Sequence, residues 1–168
     1  MARLKRLRLK KLPVWLLVLV LCGAAAAKAV DQRATPRVFY ARVERVVDGD
    51  TVVLVGGERV RYIGIDTPEL HHPRKPIEAY AREAKEVNRN LVEGKQVRLE
   101  LDVEPRDHYG RLLAYVFREE DQTFVNAELM RLGYAQLLTI PPNVKYVEYL
   151  RQMQTQAREM KRGLWKKK

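Results

Sequence analysis

The sequence predicts an α+β fold in which five short strands form a small barrel and three helices pack on one side of it. Three observations predict this fold. Residues 38–65 contain three strand-like runs joined by tight turns. A helical pattern and two further strand-like runs follow, and the chain then ends in two more helical patterns. The length of 168 residues suits one domain with a sizeable core.

The first three strands are predicted from their β-branched and aromatic residues. They cover residues 38–47, 51–55 and 59–65. Asp48-Gly49-Asp50 is typical of a turn, and Gly56-Gly57 is typical of a hairpin connection. The three strands are therefore predicted to form a meander or a small barrel.

The predicted helices share apolar residues at three- and four-residue spacing, and each ends near a glycine. They cover residues 80–91, 125–132 and 146–160. Two predicted strands, residues 97–103 and 112–117, lie between the first and second helices. A helix between strands three and four is common in five-stranded OB barrels, so we expect that fold.

The N-terminus is typical of an export signal. Six basic residues precede an uncharged run of fourteen residues, Val14–Ala27, which is short for a membrane span. Small residues in Ala27-Lys28-Ala29 predict cleavage before Val30. An uncleaved anchor is an alternative, as is lipidation at Cys22, although bulky Leu21 argues against lipidation. All three alternatives predict a secreted, periplasmic or cell-surface domain, and the uncleaved alternative would anchor it to a membrane by residues 14–27.

Four segments are predicted along the chain. They are a signal over residues 1–29, a linker over 30–37, the barrel domain over 38–165 and a basic tail over 166–168. The net charge is +11, but seven of the basic residues lie in the signal, so the rest carries only +4. Charge alone is therefore weak support for a nucleic-acid partner.

Two aspartates flank the predicted hairpin of strands two and three. Asp50 precedes the second strand and Asp66 follows the third, so we expect their carboxylates to lie close together. Two hard oxygen ligands suit Ca²⁺ or Mg²⁺, and without a cation their like charges would repel. The alternative is that each aspartate only forms a turn.

Two arginines accompany these carboxylates. Strand alternation places Arg61 on the face of Ile63 and Ile65, where its guanidinium needs a partner. That partner is either a neighbouring aspartate or a phosphate held by both arms of the guanidinium. Arg111 follows the Gly110 turn, which is expected to aim it across the barrel. Arginines beside a divalent cation favour phosphodiester chemistry.

Such a site also needs a base that takes a proton from water, and Glu69 beyond the third strand is the candidate. Zinc is not expected. His71 and His72 are adjacent on a loop, and His108 is the only other histidine, which makes a poor ligand set.

Three motifs together resemble those of the thermonuclease, or staphylococcal-nuclease-like, family. They are Asp48-Gly49-Asp50-Thr51, the segment Arg61–Glu69 and Asp107-His108-Tyr109-Gly110-Arg111, in that order. The resemblance covers residues 43–165, and the closing Gly163-Leu164-Trp165 is also similar to the end of that family.

The resemblance implies an OB barrel with three helices and Ca²⁺-dependent cleavage of DNA and RNA by a monomer, leaving 3′-phosphate ends. It also implies roles for six residues. Asp50 and Asp66 bind the metal through their carboxylates, and Thr67 binds it through its backbone carbonyl. Glu69 acts as the base or positions the water. Arg61 and Arg111 hold the scissile phosphate.

One segment departs from the family pattern. Well-known members have two tyrosines after the second helix, whereas residues 137–142 contain none. We therefore expect a different contact with the base or sugar. An inactive OB-fold nucleic-acid-binding module, or an exported structural domain, remains as an alternative. The presence of both carboxylates, the glutamate and both arginines favours the enzyme.

Overall fold

The computed structural model describes residues 38–70 and 78–166. In this part of the chain the strands are β1 (Val38–Asp48), β2 (Thr51–Leu54), β3 (Arg59–Tyr62), β4 (Ile65–Asp66), β5 (Gln96–Glu100), β6 (Leu112–Arg118) and β7 (Gln136–Leu137). The helices are α1 (Ala81–Val92), α2 (Val125–Arg131) and α3 (Val147–Glu159), followed by a short 3-10 helix, Gly163–Trp165.

Five strands close into a barrel in the order β1-β2-β3-β6-β5, and β4 and β7 form a separate two-stranded ribbon. Every pairing in the barrel is antiparallel except that between β3 and β6, which run parallel. This topology and the three described helices confirm the predicted α+β OB barrel.

The length of β1 allows the barrel to close. Its first half, Val38–Arg42, pairs with β5, and its second half, Val43–Asp48, pairs with β2. Two irregularities in register lie in this second half. Such bulges bend a strand and increase its twist, which lets one strand serve two neighbours.

Side chains that alternate along the strands fill the barrel. Fully buried members of this core include Val43, Val52, Val60, Leu99 and Val116. Beside the barrel, α2 packs against β6 and lies between α1 and α3.

Helix α1 buries one face against β1, as its amphipathic pattern predicted. Asn88 on that face is fully buried. Its amide donates to the backbone oxygen of Asp48 at 3.1 Å and accepts from the Tyr62 hydroxyl at 3.0 Å. The helix therefore fixes the end of β1 just before Asp50.

The third strand is shorter than predicted. It ends at Tyr62, because the chain turns at Gly64, whose φ is +81°. The alternation that placed Arg61 with Ile63 and Ile65 on one face is therefore wrong. Ile63 and Ile65 pack in two different apolar clusters, and Ile65 belongs to β4.

Other predictions differ in their limits or lie outside the described residues. Strand β5 ends at Glu100 and not at residue 103, and β7 was not predicted. The signal, the linker, both loop histidines and the last two lysines lie outside the described ranges. Within those ranges, no helix combines the length and apolar character needed to cross a bilayer.

Candidate active site

Arg61 lies between two carboxylates at one end of the barrel. Its Nη1 atom is 2.8 Å from Oδ2 of Asp50, and its Nη2 atom is 2.8 Å from Oδ1 of Asp66. Nη1 also donates to the backbone oxygen of Ile65 at 3.0 Å. The hairpin thus brings both predicted carboxylates to one guanidinium. Arg61 has two aspartate partners here. A phosphate that binds Arg61 would therefore have to share the guanidinium with them or displace one of them.

The Asp50 carboxylate is buried and is held by its neighbours. Its Oδ2 accepts a hydrogen bond from the backbone N–H of Thr67 at 2.9 Å, and its Oδ1 accepts one from the Thr51 hydroxyl at 3.2 Å. Gly49 permits this approach, because a Cβ there would lie 2.7 Å from the Thr67 side chain. The turn before β2 and the segment after β4 are therefore packed directly together.

The electrostatics of this end of the barrel suit a divalent cation. Burial outweighs the Arg61 guanidinium and, with a smaller contribution from nearby Asp48, raises the pKa of the Asp50 carboxyl to about 7. Asp50 and Asp66 therefore share one guanidinium, and Asp48 adds a further negative charge near Asp50. Asp50 and Asp66 offer hard oxygen atoms of the kind that Ca²⁺ prefers, and Thr67 lies against Asp50.

The described residues contain no cluster of three Asp, Glu, His or Cys side chains that would hold a metal ion. Two carboxylates would therefore need backbone oxygen atoms and water to complete the six to eight ligands that Ca²⁺ takes. The donor set fits a hard, well-hydrated ion and not zinc.

Arg111 precedes β6, and Asp107 holds it in place. Oδ2 of Asp107 accepts from Nε of Arg111 at 2.7 Å, and Oδ1 accepts from its backbone N–H at 2.9 Å. Gly110, with a φ of +81°, allows the tight turn between them. The two Nη atoms of Arg111 make no hydrogen bond to the described residues, so they remain available to a ligand.

The parallel pairing of β3 with β6 brings the two arginines together. Arg61 pairs in register with Leu113, and Arg111 lies two residues before Leu113, on the same side. Both arginines line a cavity of about 330 Å³. Leu138 and Ile140 form an apolar wall of this cavity, and both are exposed to solvent.

Glu69 is exposed and does not line this cavity. Its backbone oxygen accepts from the N–H of Glu78 at 3.2 Å, and its own N–H donates to the Glu78 carboxylate at 3.3 Å. These two residues flank the undescribed segment 71–77. The base role of Glu69 therefore stays a prediction.

Sequence reasoning missed the residues that shape the cavity. Asn143 is buried in its lining and exchanges two hydrogen bonds of 2.8 Å with the backbone of Glu104. Leu138 and Ile140 occupy the segment that holds two tyrosines in the family pattern. They lie beyond the short β7, so neither a helical nor a strand spacing of apolar residues identifies them. The departure from the family pattern was the only feature of the sequence that pointed to this segment.

Comparison with known proteins gives a consistent result. Residues 59–167 match the family described as staphylococcal nuclease homologue. The chain is 38% identical over 128 residues to the thermonuclease of Staphylococcus intermedius, which covers 74% of this chain and 75% of that protein. It is 37% identical over 127 residues to the thermonuclease of Staphylococcus hyicus, with 74% of each chain covered.

A third relative comes from a different genus. The chain is 36% identical over 130 residues to endonuclease YncB of Bacillus subtilis, covering 74% of this chain and 61% of that protein. The closed five-stranded barrel, the paired arginines and these similarities agree. The chain belongs to the staphylococcal nuclease family.

Proposed function

We propose that this protein, a nuclease by its family, is an exported Ca²⁺-dependent enzyme that hydrolyses phosphodiester bonds of DNA and RNA and leaves 3′-phosphate ends. The convergence of Arg61 and Arg111 on one cavity, beside Asp50 and Asp66, carries the proposal. Thermonuclease and endonuclease relatives support the reaction class.

The arginines hold the scissile phosphate in this proposal. Arg111 offers its two Nη atoms, because Asp107 engages only Nε and the backbone. Arg61 turns part of its guanidinium from the aspartates to the phosphate. Planar guanidinium groups bind phosphate through two parallel hydrogen bonds, and they stabilise the charge that grows on its oxygen atoms.

The carboxylates serve a different part of the reaction. Asp50 and Asp66 would hold Ca²⁺ together with the carbonyl of Thr67, and the ion would supply positive charge beside the phosphate. Packing of Thr67 against Asp50 preorganises these donors. Glu69 accepts the proton of the attacking water, which adds to phosphorus as the 5′ oxygen leaves.

One assay tests the nuclease directly. The purified protein is incubated with single- and double-stranded DNA and with RNA, in Ca²⁺, in Mg²⁺ and in EGTA. We expect cleavage with Ca²⁺, no cleavage in EGTA, and products that phosphatase treatment converts to free 3′-hydroxyl ends. Binding without cleavage under every condition would instead identify an inactive nucleic-acid-binding module.

Glu69→Gln tests the base. We expect kcat to fall by about 10²- to 10⁴-fold, the usual range for a lost general base. Glu148→Gln, an exposed glutamate on α3 with a long ion pair to Arg151, is the matched control and should leave kcat unchanged. An unchanged rate for Glu69→Gln would remove Glu69 from the mechanism.

Export is supported by the basic and apolar pattern of residues 1–29. Fractionation of producing cells, with the intact mass measured in each fraction, tests it. The mass of a chain that starts at Val30 would indicate cleavage. The mass of the full-length chain in the membrane fraction would indicate an anchor. Protein confined to the cytoplasm would contradict export.

A further inference from the structure

We propose that a second, open depression beside the active-site cavity binds the phosphate next to the scissile one, with Arg59 as its cation. The proposal rests on the nuclease function above and extends the substrate contacts by one nucleotide. The depression has a volume of about 380 Å³ and is lined by Gly57, Glu58, Arg59, Tyr109, Gly110 and Arg111.

The depression adjoins the cavity through Arg111, which lines both. Arg59 and Arg61 are two residues apart on β3, so they project from the same side of the strand. A rise of about 3.3–3.4 Å per residue places their Cα atoms about 6.7 Å apart. This separation is comparable to one step between phosphates of an extended strand. A nucleic-acid strand that runs from Arg61 along β3 toward Arg59 would therefore bring its next phosphate within reach of Arg59.

The charge of the depression favours an anion. Glu58 is the one acidic residue in its lining, and both Nη atoms of Arg106 bind the Glu58 carboxylate at 2.9 and 3.0 Å. That carboxylate is therefore already neutralised. Arg59 is exposed and makes no ion pair with any described residue.

The arginines on this side of the barrel differ in whether a carboxylate already binds them. Arg61 is bound by Asp50 and Asp66, and Arg111 is bound by Asp107. Of these three arginines, Arg59 alone makes no ion pair with a described residue, so its whole guanidinium can bind a ligand. Residues that grip a phosphate without taking part in bond cleavage raise affinity and leave the chemical step to others.

Kinetics with short substrates test the assignment. The wild-type protein is given a dinucleotide with one internal phosphate and two analogues that carry one extra terminal phosphate, at the 5′ or the 3′ end. We expect one extra phosphate to lower KM by about two- to fivefold, the range for an exposed ion pair. In Arg59→Gln that advantage is lost.

Arg151→Gln is the matched control. Arg151 is an exposed arginine on α3 that lines an unrelated surface depression, and it makes a long ion pair of 3.4 Å with Glu148. Arg151→Gln removes one positive charge, as Arg59→Gln does, so a general effect of net charge would appear in both variants. The KM advantage of the extra phosphate should persist in Arg151→Gln.

A binding measurement without cleavage separates this inference from the nuclease proposal. Anisotropy of a labelled single strand of about eight nucleotides, within the usual OB-fold site size, is measured in EGTA over a range of salt concentrations. Loss of one phosphate contact should flatten the slope of log K against log salt by about 0.7 in Arg59→Gln. Arg59→Lys should restore the slope.

Two results would overturn the inference. One is a wild-type enzyme that gains nothing from either extra phosphate; the other is a salt slope for Arg59→Gln equal to those of wild type and Arg151→Gln. Absence of any cleavage by the wild type would count against the nuclease proposal alone, because the salt slope would still report on Arg59.

Discussion

Asp107 accepts two hydrogen bonds from Arg111, one from the backbone N–H and one from Nε, and so sets the direction in which the guanidinium points. The carboxylate lies four residues before the arginine, across the Gly110 turn. Burial alone would raise the pKa of Asp107, but the bonds to Arg111 outweigh it and hold that pKa below its usual range. Asp107 is therefore ionised, and it acts as a positioning residue.

Asp107→Ala should impair the enzyme more than it impairs the fold. We expect kcat/KM to fall by about 100-fold, since a small misplacement of a phosphate-binding group has effects of that size. The free energy of unfolding should change by only about 1 kcal/mol, because the ion pair is partly exposed. Asp121→Ala, which breaks the exposed pair with Arg118, is the control and should leave kcat/KM as it is.

Asp50→Asn should abolish the response of the protein to Ca²⁺. In the wild type, Ca²⁺ at about 100 times its dissociation constant should add about 2.7 kcal/mol of stability and raise Tm. The amide has one oxygen and no charge, so the variant should show little shift. Calorimetry with and without Ca²⁺ makes the comparison, and an equal shift in both proteins would remove Asp50 from the metal site.

Arg61→Ala should destabilise the protein strongly in the absence of metal. It leaves the buried Asp50 carboxylate without its cation, a loss of about 3–5 kcal/mol for buried pairs. The double variant Arg61→Ala/Asp50→Asn should recover much of this loss, because the unpaired charge is gone. Urea unfolding of the two single variants and the double variant measures the coupling; additive effects would show that the pair is not energetically linked.

Glu100 should make stability depend on pH. Burial alone would raise its pKa, but hydrogen bonds from Lys145 and Arg98 outweigh burial and lower it. The folded-state pKa thus lies below the unfolded value of about 4.3, so this stabilisation is complete above that value and is lost as pH falls through the folded pKa.

Glu100→Gln is the corresponding test. We expect a loss of about 1–3 kcal/mol near pH 7 and a flatter decline of stability below pH 5. Glu86→Gln, in an exposed pair with Arg89, is the control and should follow the wild-type curve. Parallel curves for wild type and Glu100→Gln would contradict this account.

The apolar wall should determine substrate affinity. Leu138→Ala/Ile140→Ala removes the apolar surface that faces the two arginines, so we expect KM to rise by about tenfold or more, since each truncated side chain removes about 1 kcal/mol or more of contact. The chemical step should change much less, because neither residue has a charged or polar group that could stabilise charge on the phosphate. Met160→Ala, an exposed apolar residue outside the cavity, is the control. A fall in kcat with constant KM would contradict a binding role.

The sequence predicted the parts of this molecule that follow from local patterns. Turn residues and alternating apolar positions placed Asp50 and Asp66 at adjacent ends of a hairpin, and the structure brings both to Arg61. It did not predict that Arg61 would bridge both carboxylates, which depends on the turn at Gly64. The cavity wall was not predicted either. Residues 138–143 form no regular helix or strand, and tertiary contacts that a local pattern does not show hold them in place.

The start of this segment is held by the ribbon of β4 and β7. Asp66 on β4 pairs with Gln136, and the backbone N–H of Leu138, just beyond β7, donates to the oxygen of Gly64. The apolar wall is thus built on an appendage of the barrel, whereas both arginines stand on or beside β3 and β6. A change of sequence on this ribbon can therefore alter the apolar wall while β3 and β6 keep Arg61 and Arg111 in place. The absence of tyrosines from residues 137–142, where the family pattern has two, is a difference of that kind.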